Sequence, residues 1–186
     1  MLALAANTAI AGSMPWIELL KPKASANNTI KVGIIGVGTR GKLLLLQLQR
    51  INGVAITALC DNYEPHFKRA AQLTQNKAKG YIDYRKLLED TSIDAVFIAT
   101  PLFEHARMTI DAFSAGKHVF CEKAMAMNFQ DAYNMVMAHR NANKVLQIGH
   151  QRLFDHRFLK AIEDINNNKI GRLGQIRAYW HRNQDW

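Results

Sequence analysis

Three glycines give the clearest chemical signal in the sequence. They are spaced G-x-G-x-x-G directly after the apolar run Ile30–Ile35 and directly before a leucine-rich segment. Glycines at this spacing permit a tight turn, let the backbone approach a pyrophosphate, and allow a helix to pack closely on a strand. Free N–H groups at the start of that helix bind the phosphates. The predicted phosphate-binding residues are Gly36, Gly38, Thr39, Arg40 and Gly41.

Asp61 ends the next predicted strand, about 20 residues beyond Gly41, where a carboxylate accepts hydrogen bonds from the adenosine ribose of a dinucleotide. A carboxylate at this place repels a 2′-phosphate, which favours NAD over NADP. The basic residues Arg40, Lys68 and Arg69 keep NADP open as an alternative. A strand–turn–helix with purely structural glycines is the other interpretation, but the position of Asp61 favours a nucleotide-binding loop.

Polar residues also follow three other predicted strands. In doubly wound sheets ligands bind beyond the carboxyl ends of the strands, so we expect these residues to meet at the edge that carries the glycine loop. Taken singly, each has a structural explanation as a cap, a packed histidine or a surface ion pair. They are Thr100, Pro101 and His105 after the first strand, Glu122 and Lys123 after the second, and Gln151 and Arg152 after the third.

Lys123 is the predicted catalytic residue. An ammonium group beside an oxidised, cationic nicotinamide suits a proton relay or a hydrogen-bond donor to a substrate oxygen during hydride transfer. Glu122 is expected to orient Lys123 or to contact the nicotinamide ribose. The cofactor supplies the redox chemistry, and the protein supplies positioning.

Short apolar runs alternate with segments of helical periodicity after residue 28, which predicts right-handed βαβ crossovers and a doubly wound parallel sheet of the Rossmann type. Tyr81–Leu88 is predicted as a loop and short helix. The predicted strands are Ile30–Ile35, Ala55–Cys60, Ala95–Thr100, His118–Cys121 and Val145–Gly149. The predicted helices are Arg40–Ile51, Glu64–Thr74, Glu104–Ala115 and Phe129–Asn141.

A different pattern begins after about residue 150. A predicted helix over His156–Asn167 is followed by a glycine-punctuated turn and by an alternating strand over Gln175–Trp180. That alternation is typical of an antiparallel sheet with one covered face, and a single such strand is not stable alone. We therefore predict a dinucleotide-binding domain over residues 29–152 and the truncated start of a second α/β domain over residues 153–186.

Residues 1–28 are predicted to be signal-like or disordered. A short apolar core followed by Ala24-Ser25-Ala26 matches the cleavage region of an export signal, although the basic start of such a signal is missing. An exported or periplasmic protein is the first expectation, and a floppy extension on a cytoplasmic protein is the alternative. No apolar run reaches the ~20 residues that a membrane span needs.

Composition excludes several classes of protein. The chain has 186 residues, of which 48% are hydrophobic, too many for an intrinsically disordered protein. Its net charge of +9 is scattered along the sequence, so nucleic acid is not an expected partner. Cys60 and Cys121 have no CxxC spacing, which argues against a disulfide framework and against a metal site.

These motifs resemble those of the Gfo/Idh/MocA family of nucleotide-dependent oxidoreductases, from about Ile30 to the end of the chain. The resemblance rests on Val32–Gly38, Leu59–Asp61, Ala99-Thr100-Pro101 and Gly116–Lys123, which ends in the family's Glu-Lys motif. It implies a Rossmann domain followed by a domain with an open, mainly antiparallel sheet. It also implies a sugar, cyclitol or related polyol as substrate, and a homo-oligomer built through the second sheet.

Two departures from the family are visible: Ala124 replaces the usual proline after the lysine, and the family's further catalytic His motif is absent up to Trp186. A non-catalytic NAD-binding module is therefore one alternative. An NAD-dependent glycosidase is another, although Lys123 argues against it, since those relatives lack the lysine. Residues 179–183 resemble a sugar site or, equally, an interface strand. The candidate substrate residues are Lys123, Arg152, Trp180, His181 and Arg182.

Overall fold

The computed structural model describes residues 29–179 and residue 181. Six parallel strands form one sheet in the order β3-β2-β1-β4-β5-β6, which confirms the predicted doubly wound fold. The order reverses between β1 and β4, and ligands bind in the crevice at such a point. The strands are β1 (Ile30–Ile35), β2 (Val54–Cys60), β3 (Lys79–Tyr81), β4 (Ala95–Ile98), β5 (His118–Glu122) and β6 (Leu146–Gly149).

Helices connect the strands and cover both faces of the sheet. The helix His105–Ser114 is followed by a turn at Gly116, whose φ of +71° suits a residue without Cβ. The helices on the sheet are α1 (Thr39–Leu48), α2 (Glu64–Leu73), α3 (Tyr84–Leu88), α4 (His105–Ser114) and α5 (Phe129–Ala142), and a further helix, α6 (His156–Asn166), comes after β6 in the sequence. Single 3₁₀ turns form at Leu102–Glu104 and Gln151–Phe154.

Two apolar clusters hold the sheet between its helices. One contains Leu45 of α1 and Ile34 of β1, both fully buried. The other contains Leu87 of α3 and Val96 of β4, also fully buried. Because both faces are covered, the strands contain nearly continuous apolar runs instead of an alternating pattern, which made them recognisable in the sequence.

The sequence prediction missed one strand, β3. It has only three residues, Lys-Gly-Tyr, and pairs with the end of β2 through Ala58–Lys79 and Cys60–Tyr81. A Cβ on Gly80 would lie 2.4 Å from Cζ of Phe67, so a larger residue there would force that ring to move. The strand carries no apolar run, so its sequence does not indicate a strand.

The described residues divide into two units, 29–150 and 151–181 without residue 180. In the second unit the Asp155 side chain caps α6 by accepting a hydrogen bond from Arg157 N–H. The predicted strand over Gln175–Trp180 is wrong for residues 175–179, which have no regular secondary structure. A strand needs a hydrogen-bonded neighbour, and the described residues provide none for this segment.

Some predictions lie outside the described residues. They are the signal-like segment 1–28 and the candidate substrate residues Trp180 and Arg182. Among the described residues, no helix has the length and apolar character that crossing a membrane requires.

Candidate functional site

The glycine loop joins β1 to α1 with very little space for side chains. Gly36 has φ of +82°, and a Cβ there would lie 2.8 Å from the carbonyl oxygen of Ala99. A Cβ on Gly41 would lie 1.9 Å from the carbonyl oxygen of Gly36. Both positions therefore require glycine, one for its conformation and one for the close approach of helix to loop.

The N-terminus of α1 lies directly after the glycine loop, at the carboxyl end of β1. Gly38 is the N-cap residue, and no side chain of the described residues caps the helix. The N–H groups of the first turn therefore stay available to an anion, and the helix dipole adds positive potential. This arrangement fits the pyrophosphate of a dinucleotide.

The Asp61 carboxylate accepts two backbone hydrogen bonds, one of them from the glycine loop. Val37 N–H donates to its Oδ2 over 2.8 Å, and Tyr63 N–H donates to its Oδ1 over 2.8 Å. The side chain is 9% exposed and lines the cavity described below. A carboxylate retains further acceptor positions on both oxygens, which fits the ribose hydroxyls of an adenosine.

Arg40 lies in the first turn of α1 but contacts the end of β5. Its Nε donates to Glu122 Oε1 over 2.7 Å, and a second guanidinium nitrogen lies 2.6 Å from the same oxygen. The other carboxylate oxygen, Oε2, accepts a hydrogen bond from Lys123 N–H over 3.2 Å. Glu122 is buried, and it connects the glycine loop to the backbone of Lys123.

His105, predicted to bind the cofactor, is 2% exposed and does not line the cavity. Its Nδ1 lies 2.8 Å from the carbonyl oxygen of Ala124, and its Nε2 lies 3.1 Å from that of Thr100. The Lys123–Ala124 peptide bond is cis. The imidazole thus lies between the loops that follow β4 and β5, buried against a carbonyl oxygen of each.

A cavity of about 650 Å³ opens between the chain segments that follow β1, β2, β3 and β4. Of the predicted site residues, Gly36, Gly38, Asp61, Thr100 and Pro101 line it. Sequence reasoning missed further lining residues, because none of them belongs to a recognised motif. These include Tyr63, His66, Tyr84, Phe103 and Arg107.

An ion-pair and aromatic cluster forms one wall of this cavity. The Tyr84 ring has Arg85 and Arg107 over it, at 4.8 and 5.6 Å from the ring centroid. Burial and a 2.6 Å hydrogen bond to Asp111 raise the pKa of Tyr84 to about 12. Arg107 also pairs with Glu104. The Tyr84 ring is only 5% exposed, so these contacts hold the wall together.

The predicted catalytic lysine lies apart from that cavity lining. The Lys123 side chain is exposed, and no hydrogen bond or ion pair of its ammonium group is found among the described residues. Gln151 and Arg152 form a 3₁₀ turn in the second unit. His181, in the same unit, is exposed and stacks on Tyr179 with ring centroids 5.7 Å apart.

Both cysteines are buried free thiols. Burial, with the nearby Asp61 and Asp83 carboxylates, raises the pKa of Cys60 to about 12. Burial and the Glu122 carboxylate raise the pKa of Cys121 to about 11. A buried thiol of such high pKa stays protonated at neutral pH and is a poor nucleophile there.

Comparison with protein families supports this interpretation of the loop. Residues 30–150 match the model of an oxidoreductase family with an NAD-binding Rossmann fold. An uncharacterised oxidoreductase of Bacillus subtilis, YrbE, is 38% identical over 144 residues, which are 76% of this chain and 41% of that protein. Inositol 2-dehydrogenase of Salmonella typhimurium is 32% identical over 145 residues, 77% of this chain and 43% of that enzyme.

Solved structures give the same result. Myo-inositol 2-dehydrogenase from Lactobacillus plantarum superposes with a TM-score of 0.74 at 29% identity, covering 78% of this chain and 43% of that chain. Scyllo-inositol dehydrogenase from Lactobacillus casei, solved with bound NAD(H) and scyllo-inositol, gives 0.73 at 28% identity, covering 77% and 43%. The chain thus spans well under half the length of the relatives it matches.

A glycosyl hydrolase family 109 protein from Shewanella sp. MR-4 is also similar. It is 28% identical over an alignment of 195 positions, which covers 89% of this chain and 42% of that protein. Likeness therefore extends to two kinds of protein, dehydrogenases and glycosyl hydrolases.

Proposed function

This chain belongs to the Gfo/Idh/MocA family of oxidoreductases, and we propose that it is the cofactor-binding part of an NAD-dependent dehydrogenase acting on a cyclitol or related sugar hydroxyl. The observation that carries the proposal is the 2.8 Å hydrogen bond from Val37 N–H, in the glycine loop, to the Asp61 carboxylate. It joins the phosphate-binding loop and the ribose-binding carboxylate into one surface at the switch point of the sheet.

The choice of NAD over NADP follows from where the basic side chains lie. Arg40 is bound to Glu122 at the end of β5, on the side of β1 away from Asp61 in the strand order. Lys68 pairs with Glu64 on its own helix over 2.7 Å. Neither cation is directed at the ribose carboxylate, so the negative charge of Asp61 dominates and disfavours a 2′-phosphate.

Bound NAD supplies the hydride chemistry at its nicotinamide ring. In our proposal Lys123 donates a hydrogen bond to the substrate oxygen and takes part in transferring the proton of the substrate hydroxyl group. Glu122 fixes the backbone of Lys123 through the 3.2 Å hydrogen bond to its N–H. His105 lies between the loops that contain Thr100 and Ala124 and is proposed to hold them in place.

We assign residues 29–152 to the cofactor domain and residues 153–186 to the start of a substrate domain. Arg152, Trp180, His181 and Arg182 are the proposed substrate contacts, and the remaining acid–base residue is expected in the part of the relatives' length that this chain does not span. We propose that the whole protein is a homo-oligomer. Export, guided by residues 1–28, is also a proposal, because it depends on the Ala24-Ser25-Ala26 pattern alone.

A glycosidase that retains NAD is the second candidate, because the similarity to the glycosyl hydrolase family 109 protein covers the larger share of this chain. Lys123 distinguishes the glycosidase from the dehydrogenase, because the family resemblance implies that the NAD-dependent glycosidases lack this lysine. A non-catalytic NAD-binding module is the third candidate.

The test uses a full-length protein that contains this chain. NADH formation from NAD and myo-inositol or scyllo-inositol is measured for the wild type and for Lys123→Ala. The dehydrogenase proposal predicts turnover that falls at least about 100-fold in the variant, the range of lost acid–base catalysis, with NAD affinity nearly unchanged. Release of a sugar from a glycoside, with no net NADH, supports the glycosidase instead. Tight NAD binding without either reaction supports the binding module.

A further inference from the structure

His66 lies in the first half of α2 and faces the same cavity as Asp61. Its Nδ1 lies 3.7 Å from Oδ2 of that carboxylate, and its side chain is 35% exposed. The ring also lies against the glycine loop, since a Cβ on Gly38 would be 3.3 Å from its Cε1. The imidazole therefore stands between the carboxylate proposed to hold the ribose and the backbone proposed to hold the pyrophosphate.

This place is where NAD and NADP differ. A 2′-phosphate would extend from the ribose beside Asp61, where a neutral imidazole leaves the negative charge of the carboxylate uncompensated. An imidazolium would offset that charge and donate an N–H to a phosphate oxygen. Imidazole is the side chain that changes charge between about pH 5 and pH 8.

We propose that His66, together with Asp61, sets how strongly this site discriminates between NAD and NADP, and that the discrimination weakens as the solution becomes more acidic. The inference rests on the proposed NAD-binding function. Within α2 and its cap, the nearby groups are the Tyr63 ring, 4.7 Å from the imidazole, and the paired Glu64 and Lys68, followed by Arg69. The other charged groups of the cavity are Asp83, Arg85, Glu104 and Arg107.

These other groups do not replace His66. Glu64 and Lys68 compensate each other over 2.7 Å, Arg107 pairs with Glu104, and Arg85 pairs with Asp83 over 3.3 Å. Arg40 of α1 is bound to Glu122. Among these groups, His66 is thus the one that lies within 4 Å of the Asp61 carboxylate.

Calorimetric titration of the 186-residue chain with NAD and NADP at about pH 8 and about pH 5.5 tests the proposal. The 2′-phosphate itself gains a proton in this range, so its contribution must be separated with a variant. His66→Gln removes the imidazole ring, and His66→Asn serves as a second variant if the first does not fold. The matched control is His139→Gln, a histidine that packs on Phe113 and does not line the cavity.

In the wild type and in His139→Gln, the affinity for NADP relative to NAD rises on acidification. In His66→Gln it rises about two- to fivefold less, the size expected for one partly exposed ion pair. An equal rise in His66→Gln and the wild type overturns the proposal for His66 and leaves NAD binding intact. Absence of binding of either nucleotide to the folded wild type overturns the proposed function, and this inference with it.

Discussion

The guanidinium of Arg40 and the carboxylate of Glu122 join the first turn of α1 to the end of β5, with two nitrogens of Arg40 within 2.7 Å of a single oxygen. The two residues are 82 positions apart in the sequence. The contact spans the switch point between β1 and β4 and links the phosphate-binding loop to the Glu-Lys motif. It also removes Arg40 from the candidates for binding a 2′-phosphate.

Arg40→Gln is predicted to destabilise the chain by leaving the buried Glu122 carboxylate without its cation. Arg40 is 42% exposed, so we expect a loss of about 1–3 kcal/mol in the free energy of unfolding, less than for a fully buried pair. Urea unfolding followed by circular dichroism measures it. Arg40→Lys should recover part of the loss, since it keeps the charge and loses the planar fork. Unchanged stability of Arg40→Gln would show that the pair contributes nothing.

Gly41→Ala is predicted to disrupt the phosphate-binding loop. The added Cβ would lie 1.9 Å from the carbonyl oxygen of Gly36, so either α1 or the loop must move. We expect NAD binding to be lost. Gly174→Ala is the matched control, because a Cβ there meets nothing within 4 Å and its backbone needs no positive φ. Normal NAD affinity in Gly41→Ala contradicts the proposed position of the pyrophosphate.

Asp61→Asn is predicted to weaken NAD binding about tenfold or more, because the ribose hydroxyls lose a charged acceptor. The amide oxygen can still accept a hydrogen bond from Val37 N–H or Tyr63 N–H, so the fold should persist. NADP affinity should fall less, or rise, since repulsion of the 2′-phosphate also disappears. Both affinities are measured by titrating the wild type and the variant with NAD and with NADP, so that each nucleotide serves as the control for the other. An equal loss of affinity for the two nucleotides argues against Asp61 as the ribose ligand.

Stability is predicted to fall as the pH rises above about 9. The thiols of Cys60 and Cys121 ionise near 9.0 when unfolded, whereas their folded pKa values are about 12 and about 11. Between these values the folded state holds more protons than the unfolded state, so stability is complete below pH 9.0 and declines through pH 11 to 12. Each group contributes a slope of up to about 1.4 kcal/mol per pH unit.

Melting temperatures measured from neutral pH to about pH 11 test this slope. The double variant Cys60→Ala with Cys121→Ala is less stable throughout because it loses packing, but its stability should decline less steeply with pH. Tyr84, whose pKa is raised to about 12 from 10.0, retains its own contribution in that variant. An unchanged slope would place the alkaline sensitivity elsewhere.

The parallel sheet could be predicted because buried strands such as Ile30–Ile35 are continuous apolar runs bounded by glycine or polar residues. The glycine loop was recognisable because its conformation and close packing allow few other residues. The strand β3 could not be predicted, since Lys79–Tyr81 is short, half polar and defined by its pairing with β2. Segment 175–179 alternates like a strand but lacks a partner among the described residues.

The arrangement of the site was predictable only in part. Local motifs identified Asp61 and Glu122, but the pairing of Glu122 with Arg40 is a long-range contact without a sequence signal. His105 was recognised as a residue near the strand ends, whereas its burial between two carbonyl groups depends on how the loops fold. The proximity of His66 to Asp61 likewise depends on the orientation of α2.

NAD binding at the glycine loop is tested most directly by titrating the ¹⁵N-labelled 186-residue chain with NAD and recording its amide chemical shifts. We predict saturable binding, with the largest shifts at Gly36, Gly38, Gly41 and Val37, and weaker binding of NADP under the same conditions. A folded chain that shows no saturable shifts with either nucleotide, or whose shifts cluster away from the glycine loop, would contradict NAD binding at this site.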